Sequence, residues 1–245
     1  MPTFFVASEA IVPPTVRITG SLLHHLRDSL RLQPGERLTL TDDRGQRYRT
    51  EIADVTNTAL TGRILETLSA PPNTSPTIVL GQSLLKGEKM DWVIQKATEL
   101  GVDRIAPIVS SHSVVRPKAD RIGQQLARWQ RIALEAAQQS ERWFVPIIDE
   151  PVMIAELLTR SKSATSKIVL AERSGGASLT TVALPSTRDE LWLLIGPEGG
   201  WDADELGQVL EQGYSAVTLG PRILRAETAA IAAISVLQSR LGGLE

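Results

Sequence analysis

Short apolar stretches separated by turn residues dominate the first 70 positions of the chain. These stretches are rich in β-branched and aromatic residues, a composition typical of strands. They predict strands at 4–6, 16–18, 37–40 and 48–52. Pro34-Gly35 and Asp42-Asp-Arg-Gly45 supply turn residues between them.

One segment of this region follows a helical period instead. Leu22, Leu26 and Leu30 recur at four-residue spacing and predict a short helix over 21–31. The Pro-rich stretch 71–76 has the composition of a linker. The pattern therefore predicts a compact β-rich domain over 1–72 and a second domain over 73–245.

From Thr77 onward, short apolar runs alternate with longer amphipathic segments. The apolar runs predict strands at 78–80, 105–109, 168–170, 191–195 and 216–219. The segments between them predict helices at about 88–100, 118–140, 152–160, 202–212 and 226–241. Such alternation is typical of an α/β fold with a mainly parallel sheet.

Composition narrows the functional classes. The 245-residue chain is 42% hydrophobic and 22% charged, which is ordinary for a globular protein. It has no cysteine, which excludes disulfides, cysteine nucleophiles and cysteine-ligated metal. The N-terminus lacks the pattern of a secretory signal, and no apolar run reaches the ~18 residues of a membrane span. The expected location is the cytoplasm.

The charge balance by itself argues mildly against nucleic-acid binding. The formal net charge is −2, whereas proteins that bind nucleic acids usually carry a basic footprint. Residues 1–70 are balanced as well, with eight Lys or Arg and eight Asp or Glu. One local basic patch occurs within 116–131, where Asp120 is the only acid among Arg116, Lys118, Arg121, Arg128 and Arg131.

Two loops in the C-terminal third carry the most specific signal. Each begins as an apolar strand, breaks at a Gly-Pro pair and runs into a helix: Ile195-Gly-Pro-Glu-Gly-Gly200 and Leu219-Gly-Pro-Arg-Ile-Leu-Arg-Ala-Glu-Thr228. Ligands of α/β sheets lie outside the carboxyl ends of strands, so the pair predicts one shared ligand site. The common phosphate-binding glycine motifs are absent. Backbone groups and shape are therefore expected to hold the ligand.

The glycines of the first loop admit two interpretations. Gly196, Gly199 and Gly200 would let the backbone approach a ligand closely. Alternatively, they form a tight turn before a helix that is N-capped by Asp202.

These loops, with a third segment that starts at Lys86-Gly-Glu-Lys-Met-Asp-Trp92, resemble motifs of the bacterial RsmE family. The resemblance spans nearly the whole chain in the same order. It implies S-adenosylmethionine-dependent methylation of N3 of a uridine in 16S rRNA. It also implies a SPOUT-type α/β domain with a deep trefoil knot over 73–245, behind a PUA-like RNA-binding β-barrel over 1–72. The implied partners are 16S rRNA or the small ribosomal subunit, and a second copy of the chain.

The same resemblance assigns residues to the cofactor. Those expected to line its adenosine and methionine parts are Leu170, Gly196, Pro197, Gly199, Gly200, Leu219, Gly220, Leu224 and Ala226.

Methylation at uridine N3 needs a way to remove the N3 proton or to stabilise the resulting anion. Arg225 and Glu227 are the candidate catalytic residues. A guanidinium could stabilise a uridinate oxygen. Glu227 could accept the proton or merely hold Arg225. It could also simply start the last helix, where an acid suits the helix dipole. No metal is expected, because the three histidines lack the spacing of a zinc site.

Five residues are candidates for RNA contact: His25, Arg27, Arg31, Lys86 and Arg142. The first three lie on or near the predicted N-terminal helix, where a solvated helix face is the alternative. Lys89 and Lys96 could also reach phosphate, although both have acidic neighbours, among them Asp91 and Glu99.

Two other functions stay open at this level. A knotted ribose 2′-O-methyltransferase would share the fold, but the second loop favours the RsmE pattern. A non-catalytic RNA-binding protein would not need both cofactor loops. The Ala-rich helix predicted from Ala226 is expected to be buried, either in the core or in a homodimer interface.

Overall fold

The computed structural model describes residues 2–172, 175–185 and 189–244. The chain divides into two compact units. The first comprises Met1–Pro72 together with Ala137–Phe144, and the second comprises Asn73–Ala136 and Val145–Glu245. The segment Ala137–Phe144 lies within 73–245, the range predicted for the second domain, yet it groups with the first unit. The functional boundary between the two domains remains a prediction.

The first unit is built mainly from strands. Its elements are β1 (Thr3–Phe5), β2 (Ile11–Val12), β3 (Thr15–Ile18), α1 (Gly20–His24), β4 (Arg37–Thr41), β5 (Gln46–Val55) and β6 (Leu60–Ser69). A 3₁₀ turn at Ser8–Ala10 precedes β2, and a π-helical turn at His25–Ser29 continues α1.

The strands of the first unit form a six-stranded sheet in the order β1-β4-β5-β6-β3-β2. All neighbours are antiparallel except β1 and β4. Because β1 and β2 are the two edges yet lie close in the chain, the short connection between them requires the sheet to curl. Its core contains Leu23 of α1 and Leu26 of the π-helical turn that follows it. They pack with the strand residues Leu38, Leu40 and Leu60.

The predicted strands of this unit are all present, but pattern analysis missed β6 and the two-residue strand β2. Gly62 interrupts the β-like composition of β6. In the structure a Cβ at Gly62 would lie 2.5 Å from Thr50 Cγ2. The glycine therefore permits close pairing of β5 and β6, beside the register shifts at Arg49/Thr50 and Ile52/Asp54.

The second unit alternates strands and helices. Its elements are β7 (Thr77–Ser83), α2 (Lys89–Glu99), β8 (Arg104–Val109), α3 (Ile122–Gln139), β9 (Ile147–Ile148), β10 (Val152–Met153), α4 (Ile154–Arg160), β11 (Ser166–Leu170), β12 (Ala177–Ser178), β13 (Glu190–Ile195), α5 (Ala203–Glu211), β14 (Ser215–Thr218) and α6 (Ala226–Arg240). The end of α3 belongs to Ala137–Phe144, which groups with the first unit.

The strands of the second unit form a parallel sheet in the order β10-β8-β7-β13-β11-β14-β12, with β9 also paired to β8. Alternate residues of β13 enter two separate cores. Leu191 and Leu193 pack with α2, α3 and α6, whereas Trp192 and Leu194 pack with α4 and α5. Burial on both faces explains why these strands are continuous apolar runs.

The predicted strands and helices of this unit are all confirmed, with ends shifted by a few residues. The short strands β9, β10 and β12 were not predicted. Each has only two residues, too few to show a period. Among the described residues, no helix is long and apolar enough to span a membrane.

Candidate functional site

Three neighbouring strands of the parallel sheet end at the same edge. The order β13-β11-β14 places Leu194 beside Val169 and Leu170 beside Val217. The loops that leave these strands therefore start next to one another. The two loops predicted to share a ligand are thus joined by a third strand end, that of Leu170, at the position where parallel sheets bind ligands.

The loop after β13 is fastened to the end of β11 by a tryptophan. The Trp201 indole Nε1 donates a hydrogen bond to the Leu170 carbonyl oxygen at 3.1 Å. A Cβ at Gly196 would lie 3.1 Å from the same Nε1. The absence of a side chain at Gly196 therefore makes room for Trp201. Approach of a ligand to this backbone remains a prediction.

The same loop contacts the chain that follows β8. A Cβ at Gly199 would lie 3.1 Å from His112 Cβ, and His112 Nδ1 is 3.1 Å from the Gly200 carbonyl oxygen. Gly200 has φ +76°, a conformation that favours glycine. Packing within the chain therefore accounts for part of the glycine content of this loop.

The helix after this loop starts where the sequence predicted. The Asp202 carboxylate accepts hydrogen bonds from the N–H groups of Asp204 and Glu205. Asp202 is thus the N-cap of α5, in agreement with the alternative interpretation of this loop.

The loop after β14 is more open. Gly220 has φ +106°, and no heavy atom lies within 4 Å of the position of its missing Cβ. Leu219 and Leu224 are half-buried and pack on the larger core, and Ala226 is buried. Apolar side chains around an unobstructed backbone suit a ligand with apolar parts.

A lysine joins the two loops through a pair of carboxylates. Lys89 Nζ lies 3.3 Å from Glu198 Oε1 and 3.5 Å from Glu227 Oε2. Lys89 starts α2, Glu198 lies in the loop after β13, and Glu227 is in the first turn of α6. Sequence analysis had associated Lys89 with Asp91, which was wrong, because residues two apart on a helix do not face each other. The pairing of Lys96 with Glu99 is confirmed at 2.8 Å.

Glu227 is the most buried acid of this cluster, with a side chain that is 16% exposed. Its Oε2 atom is buried, and within the described residues it accepts no hydrogen bond. Lys89 Nζ lies 3.5 Å from this oxygen, within ion-pair distance, but donates no hydrogen bond to it and shares its single charge with Glu198. A proton acceptor needs such a free lone pair.

Glu198 braces its loop. Its Oε1 atom accepts hydrogen bonds from the Lys86 N–H at 3.2 Å and from Lys89 Nζ at 3.3 Å. Burial acts to raise the pKa of Glu198. Hydrogen bonds from its own backbone N–H and that of Lys86, with the Lys89 charge, outweigh burial and lower this pKa.

Arg225 lies at the N-cap position of α6, with an exposed side chain. Neither a hydrogen bond nor an ion pair joins Arg225 to Glu227 in the part of the chain described. The expectation that Glu227 holds Arg225 therefore does not hold in this structure, where the cation beside Glu227 is Lys89.

The RNA-contact candidates of the first unit differ in whether their side chains are already engaged within the protein. The Arg27 guanidinium is occupied by Asp28 at 2.6 and 2.9 Å and by the Asn57 carbonyl oxygen at 3.1 Å. Hydrogen bonding to Asp28 raises the pKa of Arg27 despite some desolvation. His25 is exposed with one ring edge on Phe4, and Arg31 is exposed.

Arg142 belongs to the segment that groups with the first unit. Arg47 Nη2 donates to the carbonyl oxygens of Glu141 and Arg142 at 2.6 and 2.9 Å, and its guanidinium lies 3.9 Å above the Trp143 ring. Arg47 thereby fixes the backbone of Arg142. Lys86, the remaining candidate, is exposed at the turn before α2.

Sequence analysis missed the roles of Lys89, Trp201 and His112. Their partners are distant in the chain, as with the 109 positions between Lys89 and Glu198. Within the described ranges, no group of three or more His, Asp or Glu side chains could hold a metal ion.

Comparison with known proteins gives two family matches. The model of the RNA methyltransferase domain matches residues 72–238, and that of the RNA methyltransferase PUA domain matches residues 18–65. The ribosomal RNA small subunit methyltransferase E of Synechocystis sp. is 32% identical over 96% of this chain and 77% of its own length. The protein of the same name from Buchnera aphidicola subsp. Schizaphis graminum is 30% identical over 100% of this chain and 98% of its own.

Solved structures agree with these matches. The ribosomal RNA small subunit methyltransferase E of Neisseria gonorrhoeae, bound to S-adenosylmethionine, superposes with a TM-score of 0.88 at 34% identity over 98% of both chains. A putative methyltransferase of Legionella pneumophila, in complex with the same cofactor, gives a TM-score of 0.87 at 28% identity over 98% of both chains.

Proposed function

We infer that this chain, which belongs to the family of ribosomal RNA small subunit methyltransferases E, methylates N3 of a uridine in 16S rRNA with S-adenosylmethionine as the methyl donor. One observation carries the proposal. Its two Gly-Pro loops follow β13 and β14, on either side of the end of β11, in a fold that relatives share over 98% of their length while bound to S-adenosylmethionine.

The residues at this edge fit the cofactor. Leu219 and Leu224 offer apolar surface, and Gly220 leaves the backbone unobstructed. The proposed cofactor-binding residues are Leu170, Gly196, Pro197, Gly199, Gly200, Leu219, Gly220, Leu224 and Ala226. When bound, S-adenosylmethionine supplies a methyl group already activated by a sulfonium.

The chain itself must then handle the N3 proton of the uridine. We assign its removal to Glu227, because Oε2 is buried beside Lys89 with its lone pairs free. The N3–H electron pair would remain on nitrogen while the proton moves to the carboxylate. N3 would then bond to the methyl carbon as the methyl–sulfur bond breaks, and the electron pair of that bond would return to sulfur to leave a neutral thioether. Arg225 is exposed beside Glu227 in sequence and would stabilise the negative charge shared by N3, O2 and O4.

RNA docking is assigned to the first unit together with Lys86 and Arg142. His25 and Arg31 are exposed and would contact RNA directly. Arg27 would hold Asp28 in place, since its guanidinium is already engaged.

The finer features of the family's fold are part of the same proposal. Arg240 donates to the carbonyl oxygens of Leu179 and Val182 at 2.7 Å, and Gln238 Nε2 donates to that of Leu100 at 2.7 Å. The Arg240 bonds hold the last helix against residues that follow β11, and the Gln238 bond holds it against the end of α2. We propose that this part of the chain forms the SPOUT-type trefoil knot of the family. Trp92 and Ile223 are 41% and 67% exposed, and we propose that they lie in the interface of a homodimer. The proposed location of this dimer is the cytoplasm.

Two measurements test the proposed function. Calorimetry should show that the chain binds S-adenosylmethionine, and isotope-labelled methyl should enter the RNA of small subunits from cells that lack the homologous enzyme. Binding without methyl transfer to any RNA would favour a non-catalytic RNA-binding protein.

A further inference from the structure

An open cavity of about 800 Å³ lies in the second unit between α2 and α3. Pockets that bind small ligands measure ~300–1,000 Å³, so it can accept part of a nucleic-acid strand. One side is lined by Gly87 and Glu88 of the turn before α2 and by Asp91 in the first turn of that helix. The other side carries Arg121, Arg128 and Arg131.

One acid of this cavity is already neutralised. The Asp91 carboxylate accepts from Arg128 Nη2 at 2.5 Å on one oxygen and from the Trp129 indole Nε1 at 3.2 Å on the other. The ion pair between Arg128 and Asp91 therefore links α3 to α2 at the lining of the cavity. It adds little net charge.

Two arginines remain to attract an anion. Arg121 is exposed and has no ion pair with any residue the structure describes. Arg131 has Glu135 at 3.8 Å, with side chains 71% and 68% exposed, and such pairs contribute little. The exposed Glu88 is the remaining acid of the lining. Lys118 adds further positive charge at the start of this segment.

The cavity and the candidate catalytic residues are linked through the start of α2. Glu88 immediately precedes Lys89, whose Nζ contacts Glu198 and Glu227. A strand that presents its uridine to Glu227 would thus have its neighbouring nucleotides within reach of this cavity. Because the chain has a net charge of −2, attraction of RNA must come from such local patches.

We propose that this cavity binds the phosphodiester backbone of the substrate RNA beside the target uridine, with Arg121 and Arg131 as the phosphate contacts. The planar guanidinium matches two phosphate oxygens at once. This assignment rests on the proposed function and adds to it an RNA-binding surface outside the first unit.

The test removes the two charges from the full-length protein. The R121Q/R131Q variant should bind a short fluorescein-labelled, uridine-rich single-stranded RNA about tenfold more weakly. The slope of log affinity against log salt should shrink by about 1.4, since each phosphate contact contributes ~0.7 with single strands. With small ribosomal subunits, KM should rise while kcat and affinity for S-adenosylmethionine stay unchanged.

The matched control removes two charges on the opposite face of the sheet. Arg160 ends α4 and Lys162 is exposed just after it, on the side of the second core. The R160Q/K162Q variant should bind the RNA as the unmodified protein does. The R121K/R131K variant keeps both charges and should recover the salt slope, but only part of the lost affinity, because an ammonium group cannot match two phosphate oxygens.

The outcomes separate the two proposals. If R121Q/R131Q keeps the affinity and salt slope of the unmodified protein, the cavity does not bind RNA. If R121Q/R131Q loses affinity and R121K/R131K does not recover the salt slope, the arginines serve packing and the assignment is also wrong. Absence of methyl transfer by the unmodified protein contradicts the proposed function. Inorganic phosphate that competes as well as RNA does would show a simple anion site instead.

Discussion

At the scale of single residues, the candidate site separates residues that build the loops from residues that act on the substrate. Gly196 and Gly199 fit against Trp201 and His112. By contrast, Gly220 and Arg225 face open space. We therefore expect substitution of Arg225 to change catalysis with little loss of stability. Substitution of Gly220 should act through the backbone of its loop, since no neighbouring atom would clash.

Arg225 is predicted to act in catalysis. Arg225→Ala should lower the methylation rate by roughly a hundredfold, the effect of losing one donor that stabilises an anion. Affinity for S-adenosylmethionine, measured by calorimetry, should hardly change, because the charge matters most as the uridine loses its proton. A variant with normal turnover would show that Arg225 is only structural.

Gly220 is predicted to control the shape of the second loop. At φ +106° a side chain is strained by about 1–2 kcal/mol, although nothing nearby obstructs it. Gly220→Ala should therefore weaken cofactor affinity by roughly tenfold in calorimetry. Gly123→Ala is the control, since that glycine lies in α3 with free space around its Cβ position. Equal cofactor affinity in both variants would contradict the placement of this loop at the cofactor.

At the scale of elements, Lys89 connects α2 with the two loops. Lys89→Met should destabilise the protein at neutral pH by up to about 1 kcal/mol and slow methylation. Since the pKa of Glu198 is lowered, its contribution to stability is present above its ordinary range and is lost as the pH falls through the folded value. The stability difference from the unmodified protein should thus narrow in acid.

The control for this prediction lies on the same helix. Lys96 has the same 33% exposure and pairs with Glu99 within α2. Lys96→Met should leave the methylation rate unchanged in the labelled-methyl assay. Equal rates for the two variants would argue against a link between Lys89 and the site.

Local signals account for the elements that the sequence predicted. The strand–Gly-Pro–helix pattern identified β13, β14 and the helices after them, because turn residues and apolar periods are short-range features. The same approach missed β6, where close packing against Thr50 of β5 requires a glycine at position 62. It also missed the contacts of Lys89, because Glu198 and Glu227 are distant from it in sequence and come close only in the folded protein.

At the scale of the whole molecule, RNA binding must be reconciled with a net charge of −2. The first unit offers His25 and Arg31, while Arg27 is engaged with Asp28. His25→Ala combined with Arg31→Ala should weaken RNA binding and reduce its salt dependence in a fluorescence assay, without altering cofactor affinity. Unchanged RNA affinity would remove the first unit from the docking surface.

The division of the chain affects how this account can be tested. Because Ala137–Phe144 groups with the first unit, a fragment cut at the linker 71–76 would strip that segment of its partners, among them Arg47. Point variants of the full chain are therefore the better experiment. The grouping of this segment could not be predicted, since no local sequence pattern indicates that the end of α3 belongs to the first unit.

The identity of the methylated nucleoside tests the central claim most directly. Small subunits that lack the modification would be incubated with the protein and S-adenosylmethionine, digested to nucleosides and analysed by mass spectrometry. We expect N3-methyluridine, with the added mass on the base fragment, and its loss with Glu227→Gln. A methyl group on the ribose, or no methylated uridine at all, would contradict the account.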